Sequence, residues 1–145
     1  MLIAFLYDTI FVCHYIKVGD VMIDNKLEKE LKKVKLPNVY KDLGKEYYLD
    51  PIRQKLILKT PEETVRQSII QYLLINKKVP KDMIQVEMLL SKYQIKSNRR
   101  ADIIIERLLE SKKEISTLAV IECKSPDIFI GDNALNQVSD YATEC

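Results

Sequence analysis

Three residues in the last third of the chain lie where ionised groups are rarely left. Asp102 stands directly before Ile103-Ile104-Ile105, and Glu122-Cys123-Lys124 closes an aliphatic run that begins at Leu118. Desolvating an unpaired charge is expensive, so an ionised side chain inside an apolar strand needs a partner or a task. Side chains alternate across a strand, which puts Glu122 and Lys124 on one face, about 6–7 Å apart. If the Asp102 strand pairs beside it, two carboxylates and one ammonium converge at a strand end. Carboxylates without His or thiolate company suit a hard ion such as Mg²⁺, with Mn²⁺ as a substitute. Such an ion neutralises phosphate charge and activates a water, and Lys124 orients that water or stabilises the developing oxyanion. The competing structural reading is a buried salt bridge from Glu122 or Asp102 to Lys124 or Arg100. A Glu-x-Lys tripeptide alone does not separate the two.

The elements that must position these residues are legible from residue 60 onward. Thr60-Pro61-Glu62-Glu63 has the form of a helix start, with Thr at the N-cap, Pro at the first position and Glu at the third. Val65, Ile69, Ile70, Leu73 and Leu74 recur at helical spacing until Asn76 and Pro80 close the helix. Three short aliphatic runs follow, at 84–90, 101–105 and 118–124, and predict buried strands. Gly131 and Asp132 introduce a last helix from about Ala134 to Thr143. Helix, three strands, helix predicts an α/β unit.

Composition bounds the rest. With 145 residues, 47% hydrophobic and 30% charged, the chain suits one domain that needs no disulfide or metal staple. Cys13, Cys123 and Cys145 make no even disulfide framework, no CxxC pair suggests zinc, and the lone His14 forms no multi-His site. A reducing, cytoplasmic setting fits best. The apolar start, Met1 to Cys13, is too short to span a bilayer and has no basic lead, so no membrane role is expected. It reads as an extra strand or helix, or as matter upstream of an alternative beginning at Met22. The net charge of +2 argues against a polycation, yet it averages −2 over 1–24, +5 over 25–59 and −1 over 60–145. The basic stretch Lys26, Lys29, Lys32, Lys33 and Lys35 reads first as a solvated amphipathic helix with Leu27, Leu31 and Val34 buried, and second as a phosphate-binding surface.

The spacing Asp102, then Glu122-x-Lys124, resembles the PD-(D/E)xK nuclease superfamily, and Gln137 with Tyr141 resembles the QxxxY element of its RecB-like members. A closer resemblance covers about two-thirds of the chain. Tyr48-Leu-Asp-Pro-Ile-Arg53, Thr60 to Gln67, Arg100-Ala-Asp-Ile, Ile121-Glu-Cys-Lys-Ser-Pro126 and Gln137…Tyr141 occur in that order. The set is similar to the amino-terminal nuclease domain of type I restriction enzyme R subunits and their stand-alone relatives. That resemblance implies a restriction-endonuclease-like core, a central mixed sheet flanked by helices over 48–145, with 1–47 as an extension and basic helical region. It implies a Mg²⁺-dependent DNA endonuclease, with DNA and other restriction-modification subunits as partners. Asp102 and Glu122 would hold the metal, helped by the Cys123 carbonyl, with Lys124 catalytic and Gln137 and Tyr141 supporting.

The family usually adds an acid from the first helix. Glu62 falls within the arc of Val65, Ile69 and Leu73 and is favoured; Glu63, at its edge, suits the capping box. Arg66 and Gln67 brace the site or touch phosphate, and Arg66, Arg99 and Arg100 are candidates for DNA-backbone contact. The sequence departs from the large R subunits in carrying no GxxxxGK[ST] motif, so ATP-driven translocation is not assigned. It stops four residues past Tyr141, inside the expected last helix, as an excised domain, a truncated frame or a small separate protein would. The alternative function is a nuclease-like module that binds DNA or a subunit without cutting.

Overall fold

The computed structural model describes residues 2–7, 10–15, 25–93, 98–109 and 114–123. Along the chain run β1 (Leu2–Tyr7), β2 (Ile10–Tyr15), α1 (Asn25–Lys32), β3 (Val39–Asp42), β4 (Lys45–Leu49), β5 (Leu56–Leu58), α2 (Pro61–Ile75), β6 (Ile84–Leu89), β7 (Arg100–Leu109) and β8 (Glu114–Glu122). They form a five-stranded sheet in the order β2-β1-β8-β7-β6 and a three-stranded sheet in the order β3-β4-β5. The helix expected from Thr60 to Asn76 is α2: Thr60 Oγ1 accepts from the Glu63 N–H at 3.0 Å, and Asn76 is the C-cap.

The central sheet is antiparallel in every described pairing, which corrects the mixed sheet expected from the resemblance. The reason is connection length. Parallel neighbours need a crossover of about a dozen or more residues, usually a helix. Only ten residues separate β6 from β7 and four separate β7 from β8, too few for such a crossover. The expected last helix over 134–143 lies outside the described residues.

α2 packs across one face of this sheet. Ile69, Ile70 and Leu73 meet Ile84 and Val86 of β6, Ile103 and Ile105 of β7, and Ala119, Ile121 and Cys123 at the β8 end. The period-2 choice of Ile103 and Ile105, then Ala119 and Ile121, is what a strand presents to one side. A smaller cluster, Leu90, Ala101, Ile104 and Val120, forms separately. Each side of the strands is therefore committed, and their register is pinned.

In the apolar start, Met1 to Cys13, left open as strand, helix or upstream matter, β1 pairs antiparallel with β2 and, from Leu2↔Glu122 to Phe5↔Ala119, with β8. The basic stretch begins as α1, where Lys29 and Lys32 are exposed and Leu31 packs against the core. Within the 1–47 stretch expected as an extension and basic helical region, 39–42 and 45–47 are strand. Asp42 pairs with Lys45 across a two-residue loop in which Leu43 (φ 44) and Gly44 (φ 74) are both left-handed, the backbone of a primed hairpin turn. Tyr48 of β4 is buried, its hydroxyl 3.2 Å from Thr64 Oγ1 on α2, which ties the small sheet to the helix.

Candidate active site

The turn after β4 begins the site. Asp50-Pro51-Ile52-Arg53 folds as an Asx turn: Asp50 Oδ1 accepts from the Ile52 N–H at 2.8 Å and the Arg53 N–H at 2.6 Å. Its Oδ2 accepts from Arg53 Nε at 2.8 Å and from Gln67 Nε2 at 2.6 Å. Burial alone would raise the Asp50 pKa. The Arg53 backbone and guanidinium, with Gln67, outweigh it and hold the carboxyl below its ordinary value.

This turn lies against the first turn of α2 and decides which helix acid is interior. Glu63 is 3% exposed, and its carboxylate accepts from Arg53, Arg66 and Gln67. Glu62 is half-exposed and accepts from Arg66 Nη2 at 3.2 Å. The helical arc had favoured Glu62 as the inward residue and given Glu63 the capping box. Instead the Glu63 N–H is capped by Thr60 while its side chain turns to Arg53. A helical wheel drawn against the sheet alone omits the 50–53 turn, which covers the flank where Glu63 lies.

The strands bring the remaining acids. Asp102 Oδ1 accepts from Arg66 Nη2 at 2.5 Å, and its Oδ2 accepts from the Cys123 N–H at 2.5 Å. The β7–β8 ladder runs to the Ile103↔Ile121 pair, and buried Glu122 is the next residue of β8, paired with Leu2 of β1. Glu87 on β6 has φ 53, left-handed backbone within a strand, and its carboxylate lies 3.3 Å from Arg53 and 3.5 Å from Arg66. A non-glycine residue held there stores about 1–3 kcal/mol, a cost often carried at functional sites. The Cys123 thiol is fully buried; burial, then the Asp102 charge, push its pKa well above the usual thiol value, so it stays neutral.

Arg66 is therefore a buried bridge between α2 and β7 rather than an open phosphate contact. Burial favours its neutral form, but the Asp102 and Glu63 carboxylates overcome this and hold it charged. Arg99 and Arg100, the other candidates for DNA contact, are exposed. Lys124, Gln137 and Tyr141 lie outside the described residues. Asp50, Arg53 and Glu87 had not been singled out as site residues. The Asp-Pro pair, a turn initiator, was the available signal for the first two; Glu87 left none, because its backbone conformation is set by tertiary contacts.

The donor chemistry fits a hard divalent cation. Five carboxylates (Asp50, Glu62, Glu63, Glu87, Asp102) surround two guanidinium groups, and Arg66 already stands as a cation between Glu63 and Asp102. The acids are closed on those guanidinium groups: among the described residues, no three His, Cys, Asp or Glu are grouped as they would be around a metal ion.

An antiparallel sheet packed against α2, with carboxylates gathered around two guanidinium groups where that helix begins, defines a mixed α/β fold. A family model described as type I restriction enzyme R protein N terminus (HSDR_N) matches residues 61–145, and the chain belongs to that family. The match opens at the first residue of α2 and takes in Glu63, Arg66, Asp102 and Glu122. No curated protein and no solved structure matches the chain. Among the described residues no helix is long and apolar enough to cross a membrane.

Proposed function

We propose that this chain is the DNA-cleaving module of a type I restriction system, a Mg²⁺-dependent endodeoxyribonuclease of the PD-(D/E)xK kind with a restriction-endonuclease-like core. The observation that supports the reading is the Asp102 carboxylate, which accepts from the Cys123 N–H, the residue after buried Glu122, and is joined through Arg66 to buried Glu63. Membership of the R-subunit amino-terminal family supports the restriction role, with DNA and other restriction-modification subunits as partners in the cytoplasm. Asp102 and Glu122, with the Cys123 carbonyl, would hold the ion. Bound there, it supplies neutralisation of phosphate charge and a water acidic enough to attack at neutral pH.

The chain's own residues do the positioning. The Cys123 N–H fixes one Asp102 oxygen, and the Thr60 cap with the Arg53 bridge fixes Glu63. Lys124 orients the attacking water, and Gln137 and Tyr141 hold the phosphodiester. A second reading, a module that binds DNA without cutting it, is favoured by the engagement of Asp102 with Arg66.

Cleavage of plasmid DNA in the presence of Mg²⁺ separates them. Glu122→Gln and Lys124→Ala should each lower the cleavage rate by about a hundredfold or more while DNA binding persists. Undiminished cleavage in both variants would sink the assignment. Salt-sensitive DNA binding by the wild type without any metal-dependent product would establish the second reading.

A further inference from the structure

The Glu63–Asp102 pair holds a cation already. Arg66 Nη2 is 2.5 Å from Asp102 Oδ1, Nη1 bonds Glu63 Oε2, and the side chain is 6% exposed. The other Asp102 oxygen is bound to a backbone group that cannot leave, the Cys123 N–H. An incoming Mg²⁺ sits about 2.1 Å from its carboxylate oxygen. On Asp102 Oδ1 it would therefore lie within about 4.6 Å of the guanidinium nitrogen already there. Two cations at that separation, in a site withdrawn from water, repel strongly.

We infer that Arg66 is the resident counter-ion of Asp102 and that a divalent cation enters this site only by displacing it. The inference rests on the metal-dependent reading above and adds how the site is kept closed. Two further observations support an exchange. The buried Arg66 Nε has no hydrogen-bond partner among the described residues, so the present pose leaves a donor unsatisfied. A second place is also at hand: half-exposed Glu62, four residues earlier on the same helix, lies 3.2 Å from Arg66 Nη2, and Glu87 lies 3.5 Å from Nη1. Arg66 can let go of Asp102 and remain paired. Its withdrawal removes one positive charge from Asp102 as the metal brings two, so the buried carboxylates are never left bare.

The test is Mn²⁺ binding by the full chain, followed through the electron paramagnetic resonance signal of free Mn²⁺, without DNA. A site held closed in nine molecules of ten has its apparent affinity cut about tenfold. Arg66→Ala should therefore bind Mn²⁺ at least about tenfold more tightly than the wild type, and Mn²⁺ should raise its melting temperature by more. Arg66→Lys keeps the charge for folding but cannot reach Glu63 and Asp102 together, so it should fall between the two. If Arg66→Ala does not fold, the lysine variant carries the test. Wild-type binding with no gain in a folded Arg66 variant overturns the exchange and leaves the metal-dependent reading intact. No Mn²⁺ bound at millimolar concentration by any of the three overturns both.

Discussion

Asp50 shows how much of the site rests on one carboxylate. It is fully buried and satisfied by two backbone N–H groups, Arg53 and Gln67. Asp50→Asn removes the charge facing Arg53 while Glu63 and Glu87 still hold that guanidinium. The expected loss is about 2–3 kcal/mol at pH 7, read from urea denaturation. Its pH dependence follows from the lowered pKa. In the unfolded chain Asp50 titrates near its ordinary 3.8, and in the folded protein below it. Its stabilisation is complete above the unfolded value and is lost as the pH falls through the folded one. The gap between wild type and Asp50→Asn should hold from pH 7 to about 5 and narrow below about 4. A gap that widened in acid would mean that the variant acts through some other contact.

The secondary elements differ in how openly they are encoded. α2 carries its own start and stop signals, and its aliphatic stripe is the one that packs on the sheet. β7 and β8 run further than their aliphatic runs suggest, because Glu106–Leu109 and Thr117–Glu114 pair with each other. Mixed polar residues on such an extension leave no buried-strand pattern to read. The β3–β4 hairpin went unread for a similar reason: its turn is Leu43-Gly44 where Asn-Gly would have announced it. Leu43 is 94% exposed and pays the left-handed penalty without packing in return. Leu43→Asn should therefore raise stability by about 1 kcal/mol, measured as the denaturation midpoint at unchanged slope. An unaltered midpoint would show that the hairpin carries no strain there.

Across the molecule, the central sheet is completed by residues far apart in the chain. β1 covers the edge of β8 that would otherwise present Ala119, Val120 and Ile121 with open backbone groups. Bare aliphatic edges recruit strands from other chains. A version beginning at Met22 should melt at a lower temperature and associate with rising concentration in light scattering. A monomer with the full chain's melting temperature would show that the β1 ladder adds nothing to stability.

Much of this protein was legible locally. Caps, helical periodicity and aliphatic runs are properties of a few neighbouring residues, so α2, three sheet strands and the Asp102 and Glu122 positions could be read from spacing. The short spacings between β6, β7 and β8 carried their antiparallel order, where the resemblance implied a mixed sheet. Which helix acid turns inward, and that Arg66 closes on Asp102, could not be read. Glu63 is chosen by a turn ten residues earlier, and the Arg66–Asp102 bond joins residues 36 apart. No local period records such contacts; they exist only once the 50–53 turn, α2 and β7 are packed together and their buried charges must find partners.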